Sequence, residues 1–323
     1  MKLGFGTWRF FLAFLVVISH LWENMLPGPA AYAVWGFFLL SGFLMTHVLR
    51  HKYGPTIDGL RDYAYNRFLR IFPIYWIACV CGAAAVVILH RYGVDPAFLN
   101  PQFVKPHGWL EWFVNVTLLP IPVGGMFVPV AGALAVEIGV YILIPLMAFN
   151  RPAAWLGLIL SLLLSAQYGF HSDTFGIRYS YFLTCFAVFA FGSLVSHHRE
   201  TLEKFKAPVL SVLVWLIHSL IWLWYDPWPW GYGIYFSILL SAWVVISFAS
   251  QKTGKLDRIL GDLSYPIYLF HTVVGAWVLL FVHQGRSFLF FCISFVMTLL
   301  LSWAVVVGVD SRIGQFKKQR QER

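Results

Sequence analysis

An all-α fold, a polytopic integral membrane bundle of about ten transmembrane helices, is what the amino-acid sequence predicts, and three observations carry the prediction. Hydrophobic residues fill 59% of the 323 positions and charged residues 11%, with a mean hydropathy of +0.72. Soluble domains run nearer about 45–50% apolar and about 25% charged. Apolar runs of about 20 residues, the length that crosses roughly 30 Å of hydrocarbon at 1.5 Å per residue, recur along the whole chain. Between those runs, lysine and arginine are dense in every second connection and sparse in the others.

Taken in order, the spans fall at about 8–26, 31–49, 72–90, 127–149, 153–170, 178–196, 208–225, 231–249, 264–283 and 287–309. They define a membrane domain over 1–310 and a basic tail over 311–323, with no internal repeat and no length left for a second globular unit. An even number of spans puts both termini on one side, and cationic connections mark the cytoplasmic side. The tail carries Arg312, Lys317, Lys318, Arg320 and Arg323, and Lys2 and Arg9 stand at the start. Even-numbered connections carry Arg50, Lys52, Arg61, Arg67, Arg70, Arg151, Arg199, Lys204, Lys206, Lys252, Lys255 and Arg258. The opposite side keeps only Arg91, Lys105, Arg178 and Arg286, a split that a wrong span count would scramble. The net charge of +9 therefore reads as topology, and nucleic acid is not an expected partner.

Lys2, the apolar run Phe10–Ile18 and Ala31-Tyr32-Ala33 have the outline of a cleavable signal peptide. Cleavage normally falls closer to the apolar core, and Ser19-His20 and Trp22-Glu23 are polar for that region, so the helix is expected to be retained. Cys79, Cys81, Cys185 and Cys292 each sit inside an apolar run and read as small buried hydrophobes, with no metal site and no disulfide framework.

Ionisable groups inside spanning helices cost several kcal/mol and face a cavity or a partner. His20, Glu137, His218 and His271 lie near mid-depth on this map, with Ser41 at similar depth. Arg9 and His20 are eleven residues apart, which leaves them only about 20° apart around a helix and about 16 Å apart along it. One helix face can thus hold an anionic cytosolic molecule at one end and a base at the other. Arg67 and Arg70, at i,i+3 before the third span, share a face, and guanidinium forks suit phosphate oxygens. Ordinary positive-inside charge explains the same two arginines.

Several ordered patterns together resemble the membrane acyltransferase-3 family of bacterial envelope O-acyltransferases. A basic residue, ten intervening residues and a His stand at Arg9 and His20. Phe37-Phe38-Leu39-Leu40-Ser41-Gly42-Phe43-Leu44 resembles the family's second helix, and Arg67 through Tyr75 its Arg-x-x-Arg-Ile-x-Pro-x-Tyr segment. Ala133-Leu134-Ala135-Val136-Glu137 with Tyr141, and Leu263 through His271, supply two more. Around Glu137 the family's usual Trp-Ser pair is replaced by Gly132-Ala133, and a frequent second Glu is Ile138.

The resemblance implies a ten-helix plan in the bacterial inner membrane and acyl transfer, usually of acetyl, from cytosolic acyl-CoA to a hydroxyl of an envelope or secreted polysaccharide. No permanently bound cofactor and no metal is implied; acetyl-CoA is the donor substrate. Arg9, Arg67 and Arg70 would hold the CoA phosphates. The pantetheine arm, on the order of 15–20 Å long when extended, would bring the thioester to His20. His20, with an ordinary pKa of about 6.5, would take the acceptor's proton or carry the acyl group itself. Glu137 or His271 would orient His20 or line the path, and Ser41 would donate to the developing oxyanion. Acceptor candidates are the aromatic seventh-to-eighth connection (Trp222, Trp224, Tyr225, Asp226, Trp228, Trp230) and the segment 92–125 with Trp109, Glu111 and Trp112. That segment is long for a membrane loop and leaves room for a re-entrant or surface helix.

Neither a P-loop nor a dinucleotide fingerprint is present; Gly231-Tyr-Gly233 is a lone pair inside an apolar run. Asn115-Val-Thr117 fits a glycosylation sequon that occurs often by chance. Within acyl transfer, succinyl groups or a macrolide-type acceptor are alternatives. From another class, a proton-coupled secondary transporter would use His20, Glu137 and His271 as a relay, although the matched broken helices of such carriers are not evident.

Overall fold

A computed structural model describes residues 4–22, 27–221, 224–225 and 228–314 of the chain. Thirteen α-helices and no strand are found among the described residues. In chain order these are α1 (Phe5–Leu21), α2 (Pro27–Val48), α3 (Ile57–Arg91), α4 (Gly108–Thr117), α5 (Ala131–Phe149), α6 (Arg151–Gln167), α7 (Phe175–Ser180), α8 (Phe182–His197), α9 (Arg199–Leu202), α10 (Pro208–Leu220), α11 (Ile234–Ala249), α12 (Lys255–Val278) and α13 (Phe288–Val305).

Each of the ten expected spans falls on a helix, yet length and apolarity support fewer crossings. Five stretches are long and apolar enough to cross alone: Gly28–Tyr53, Ile57–Arg91, Ala131–Phe149, Pro229–Ala249 and Phe288–Gly314. The pair Ser172–Ser180 and Phe182–His197, bent by 66°, makes a sixth if it is one broken span. The α1 and α10 helices are apolar but short, and α12 opens on Lys255, Asp257 and Arg258. The tail beyond residue 314 lies outside the described residues, as do Lys2 and Glu23.

Two close helix crossings fix where the polar side chains stand inside the bundle. Without a hydrophobic drive between helices in lipid, association rests on backbone approach at small residues and on interhelical hydrogen bonds. The α1 and α12 helices meet at Gly6 and Gly261, where a Cβ on Gly6 would overlap the carbonyl of Asp257 and one on Gly261 would lie 3.0 Å from the Gly6 Cα. Asp257 completes the joint. Its Oδ1 accepts from the Thr7 backbone N–H at 2.7 Å and from the Thr7 hydroxyl at 2.8 Å. Gly4 at the N-cap has no side chain to offer, so α12 supplies the cap of α1 and an anion at its positive end.

The α2 and α8 helices cross where Gly42 lies against the Phe189 backbone and Gly192 against that of Leu39. Thr46 donates to Ser193 across that crossing at 2.8 Å. Other buried hydroxyls do the same service, as Trp215 Nε1 donating to Ser241 at 3.0 Å joins α10 to α11. Large apolar side chains such as Val80, Ile142, Leu156, Ile217 and Leu300 face outward, as lipid requires.

The segment 92–125 does contain the expected extra helix, α4, and is held by Asn115 and Glu111. Asn115 is buried; its Nδ2 donates to the carbonyls of Glu111 and Gly125 (both 2.9 Å) and its Oδ1 accepts from Phe127 N at 2.9 Å. A side chain so committed is no glycosylation acceptor. Glu111 accepts from the N–H of His107 at 2.6 Å and of Gly124 at 2.9 Å, with its carboxyl held below the usual carboxylate range chiefly by the His107 bond. It closes the segment's own backbone, so it does not stand free for a sugar.

Candidate active site

Five helices converge on a cavity of about 230 Å³. The α1 helix contributes Arg9, α2 Val34, Phe37, Ser41 and Met45, α3 Arg67 and Arg70, α5 Glu137 and Tyr141, and α12 Tyr265 and Tyr268. Helical period explains the α2 contribution, since positions 34, 41, 45 and 48 recur near one face. Among the described residues no carboxylate lies within 4 Å of Arg9, Arg67 or Arg70, the one ion pair being Arg199–Glu203. Arg67 Nε is buried without a hydrogen-bond partner, its guanidinium 5.8 Å from the Tyr63 ring. Three guanidinium groups and one carboxyl, that of Glu137, face this space, an excess of cations that attracts a further anion.

In the same cavity, Glu137 Oε1 accepts hydrogen bonds from the hydroxyls of Ser41 and Tyr141, which are 3.1 Å apart. Tyr268, on the opposite wall, donates to the carbonyl of Val130 at 2.6 Å and ties α12 to the start of α5. Tyr265 donates to Ile71 at 2.9 Å and ties it to α3.

His20 is elsewhere. It lines a second cavity of about 400 Å³ with Val16, Ser19, Ala30, Ala31, Val34, Ser172, Phe175, Tyr179 and Trp230. The Gly6–Gly261 crossing sets α1 beside α12 so that His20 Nδ1 meets His271 Nε2 at 3.0 Å. His271 has no exposed surface, and its Nδ1 lies 2.7 Å from the carbonyl of Tyr268 and 3.3 Å from that of Ile267. Carbonyls only accept, so Nδ1 of His271 carries the hydrogen and its Nε2 is the acceptor in the neutral ring. His20 Nδ1 must then donate, which leaves the lone pair of His20 on Nε2.

The sequence expectations are rearranged accordingly. Arg9, Arg67, Arg70, Ser41 and Glu137 share one cavity, and His20 stands in the other with His271 behind it. Val34 lines both. His20 pairs with His271 and not with Glu137, and the Ser41 hydroxyl donates to Glu137. The cause is packing: α5 brings Glu137 to Ser41 of α2, whereas α12 brings His271 to His20 of α1. His218 joins neither group; its Nε2 pairs with the Gly233 carbonyl at 3.0 Å and its ring stacks on Tyr32 with centroids 5.0 Å apart.

Of the aromatic acceptor candidates, Trp230 borders the His20 cavity, Trp224 and Tyr225 are exposed, and Trp222 and Asp226 lie outside the described residues. Ser172, Phe175 and Tyr179 were not among the expected residues, since nothing in their spacing distinguishes them. They are folded over the cavity by Arg178, a fully buried guanidinium that donates to the carbonyls of His171 (2.6 Å) and Trp230 and to the Thr174 hydroxyl (3.0 Å). His90 and Asp95 have the five-residue offset of soluble acyl-CoA acyltransferases. Both are exposed, and Asp95 caps a short turn by accepting from Ala97 N at 2.9 Å, away from either cavity.

The described residues thus form a bundle of apolar helices with an arginine-lined cavity and a paired imidazole. The acyltransferase domain family is matched over residues 3–307, so the chain belongs to that family and is a membrane acyltransferase. No curated protein and no solved structure matches it.

Proposed function

We propose that the protein transfers an acyl group, acetyl in the first instance, from cytosolic acyl-CoA to a hydroxyl of an envelope or secreted saccharide. On this reading it lies in the bacterial inner membrane with both termini in the cytoplasm. The observation that carries it is the His20–His271 hydrogen bond, in which His20 Nδ1 donates and Nε2 keeps the lone pair, at a cavity that shares Val34 with the one lined by Arg9, Arg67 and Arg70. Guanidinium groups bind phosphate oxygens bidentately, and Arg9, Arg67 and Arg70 form the seat for the CoA phosphates. The extended arm carries the thioester along the Val34–Ser41 face of α2.

In the His20 cavity the acceptor hydroxyl attacks the thioester carbon, the C–S bond breaks, and His20 Nε2 takes the hydroxyl proton and returns it to the departing thiolate. The positive charge that His20 bears in passing is shared through Nδ1–H with His271 and the Tyr268 carbonyl, as an orienting group does in a catalytic triad. A two-step route in which Nε2 itself carries the acyl group uses the same lone pair. Aromatic Phe175, Tyr179 and Trp230 with the hydroxyl of Ser172 suit the apolar face and the rim of a sugar ring.

Membranes containing the protein, given acyl-labelled acetyl-CoA, should move label into glycan. His20→Ala should reduce that transfer at least about 10²-fold, the contribution of a positioned base, with insertion unchanged. Label that never leaves CoA in the wild type would overturn the assignment and favour a carrier.

A further inference from the structure

We propose that Val34 measures the acyl group, acting as a size filter between the donor cavity and the cavity that holds His20. This inference rests on the acyl-CoA assignment. Among the described residues Val34 is the one common to the linings of the two cavities, and its side chain is almost wholly enclosed. On the donor side its neighbours on α2 are Phe37 and Phe38; on the His20 side they are Ala30 and Ala31. The path therefore runs from large side chains to small ones, with the γ-methyls of Val34 at the step.

Two features make this residue a gauge and not a swinging door. A valine in a helix is held in one strongly preferred χ1 rotamer, so its methyls cannot rotate aside as a leucine or methionine side chain would. The helix that carries it is fixed from outside by the close approach of Gly42 and Gly192 to the backbones of α8 and α2. Seven residues, two turns and about 10 Å separate Val34 from Ser41 on the same face. A thioester arm lying along that face presents its acyl end at Val34 before it meets His20. A two-carbon group passes beside a valine; each further methylene collides with it.

Native membranes containing the full chain and its own acceptors, supplied in turn with acyl-labelled acetyl-, butyryl- and succinyl-CoA, give the test. Val34→Ala should raise the butyryl-to-acetyl transfer ratio about tenfold or more, the scale on which an apolar pocket separates substrates differing by methylenes. Val34→Phe should cut acetyl transfer by a similar factor. Val34→Ile, which conserves branching, should fall between wild type and Val34→Phe and keeps the test intact should the bulkier variant fail to fold. Wild-type label transfer with an unchanged donor ratio in Val34→Ala and Val34→Ile would sink the filter and leave the enzyme reading standing. Absence of transfer from every donor in the wild type would sink both.

Discussion

An imidazole acts as a base only from the nitrogen that carries no hydrogen, and at His20 that choice is made two hydrogen bonds away. The carbonyls of Ile267 and Tyr268 are available because His271 sits at i+4 and i+3 from them on α12, where a side chain can reach back along its own helix. They set the tautomer of His271, and His271 sets that of His20. His271→Ala should lower transfer roughly 10²–10⁴-fold, as loss of the orienting member does in a catalytic triad. His271→Gln, whose carbonyl can accept the same hydrogen bond, should restore part of it, and the rate–pH profile should shift in the alanine variant. A purely structural His271 would move neither the profile nor the glutamine rescue. Asn115 acts on stability alone. Its replacement by Ala leaves the Phe127 N–H and the Gly125 carbonyl buried without partners, each costing about 1–3 kcal/mol. The unfolding midpoint in detergent should fall, with activity per folded molecule unchanged.

At the scale of elements, the α1–α12 crossing is the decisive one. Gly6 is needed because the Asp257 carbonyl occupies the space of a Cβ, and the Asp257 carboxylate then falls on the N–H and hydroxyl of Thr7. A glycine contact at residue 6 thereby governs a hydrogen bond at residue 20, because a helix transmits displacement along its length. Gly6→Leu should separate the helices, lengthen the His20–His271 distance and abolish transfer while the protein still inserts; accessibility of a cysteine placed at position 271 to a small thiol reagent would rise. Survival of transfer at the wild-type level would refute the coupling between this crossing and the imidazoles. Much of this was legible in the sequence. Arg9 and His20 share a face by spacing, and so they do on α1, yet they open onto different cavities because α2 passes between the two ends with Val34 at the division. Spacing along one helix says which residues are aligned but not what a second helix places between them.

Across the whole molecule, the arginines and the imidazole of His20 line two cavities of one bundle, an arrangement that the proposed reading uses for a donor from one compartment and an acceptor from the other. On the proposed reading the arginine end faces the cytoplasm, the side on which cationic connections collect. An epitope appended after Arg323 should be reached by a membrane-impermeant reagent only after cells are permeabilised. Labelling of intact cells would invert the orientation and with it the direction of transfer. The expected sidedness rests on the distribution of Lys and Arg, which folding does not alter. Span number did not follow as cleanly, since short α1 and polar-headed α12 lie within the bundle, where neighbours and not lipid cover them.

Composition, hydropathy and the order of short patterns determined the fold class, the family and the residues that carry charge into the membrane, because each is a property of local sequence against a lipid solvent. Which of those residues meet was decided only in three dimensions. Glu137 joined Ser41 and Tyr141, His271 joined His20, and Val34 came to stand between the two groups. These pairings link residues far apart in the chain, and they depend on where glycines let one backbone lie against another, which no periodicity in a single helix encodes.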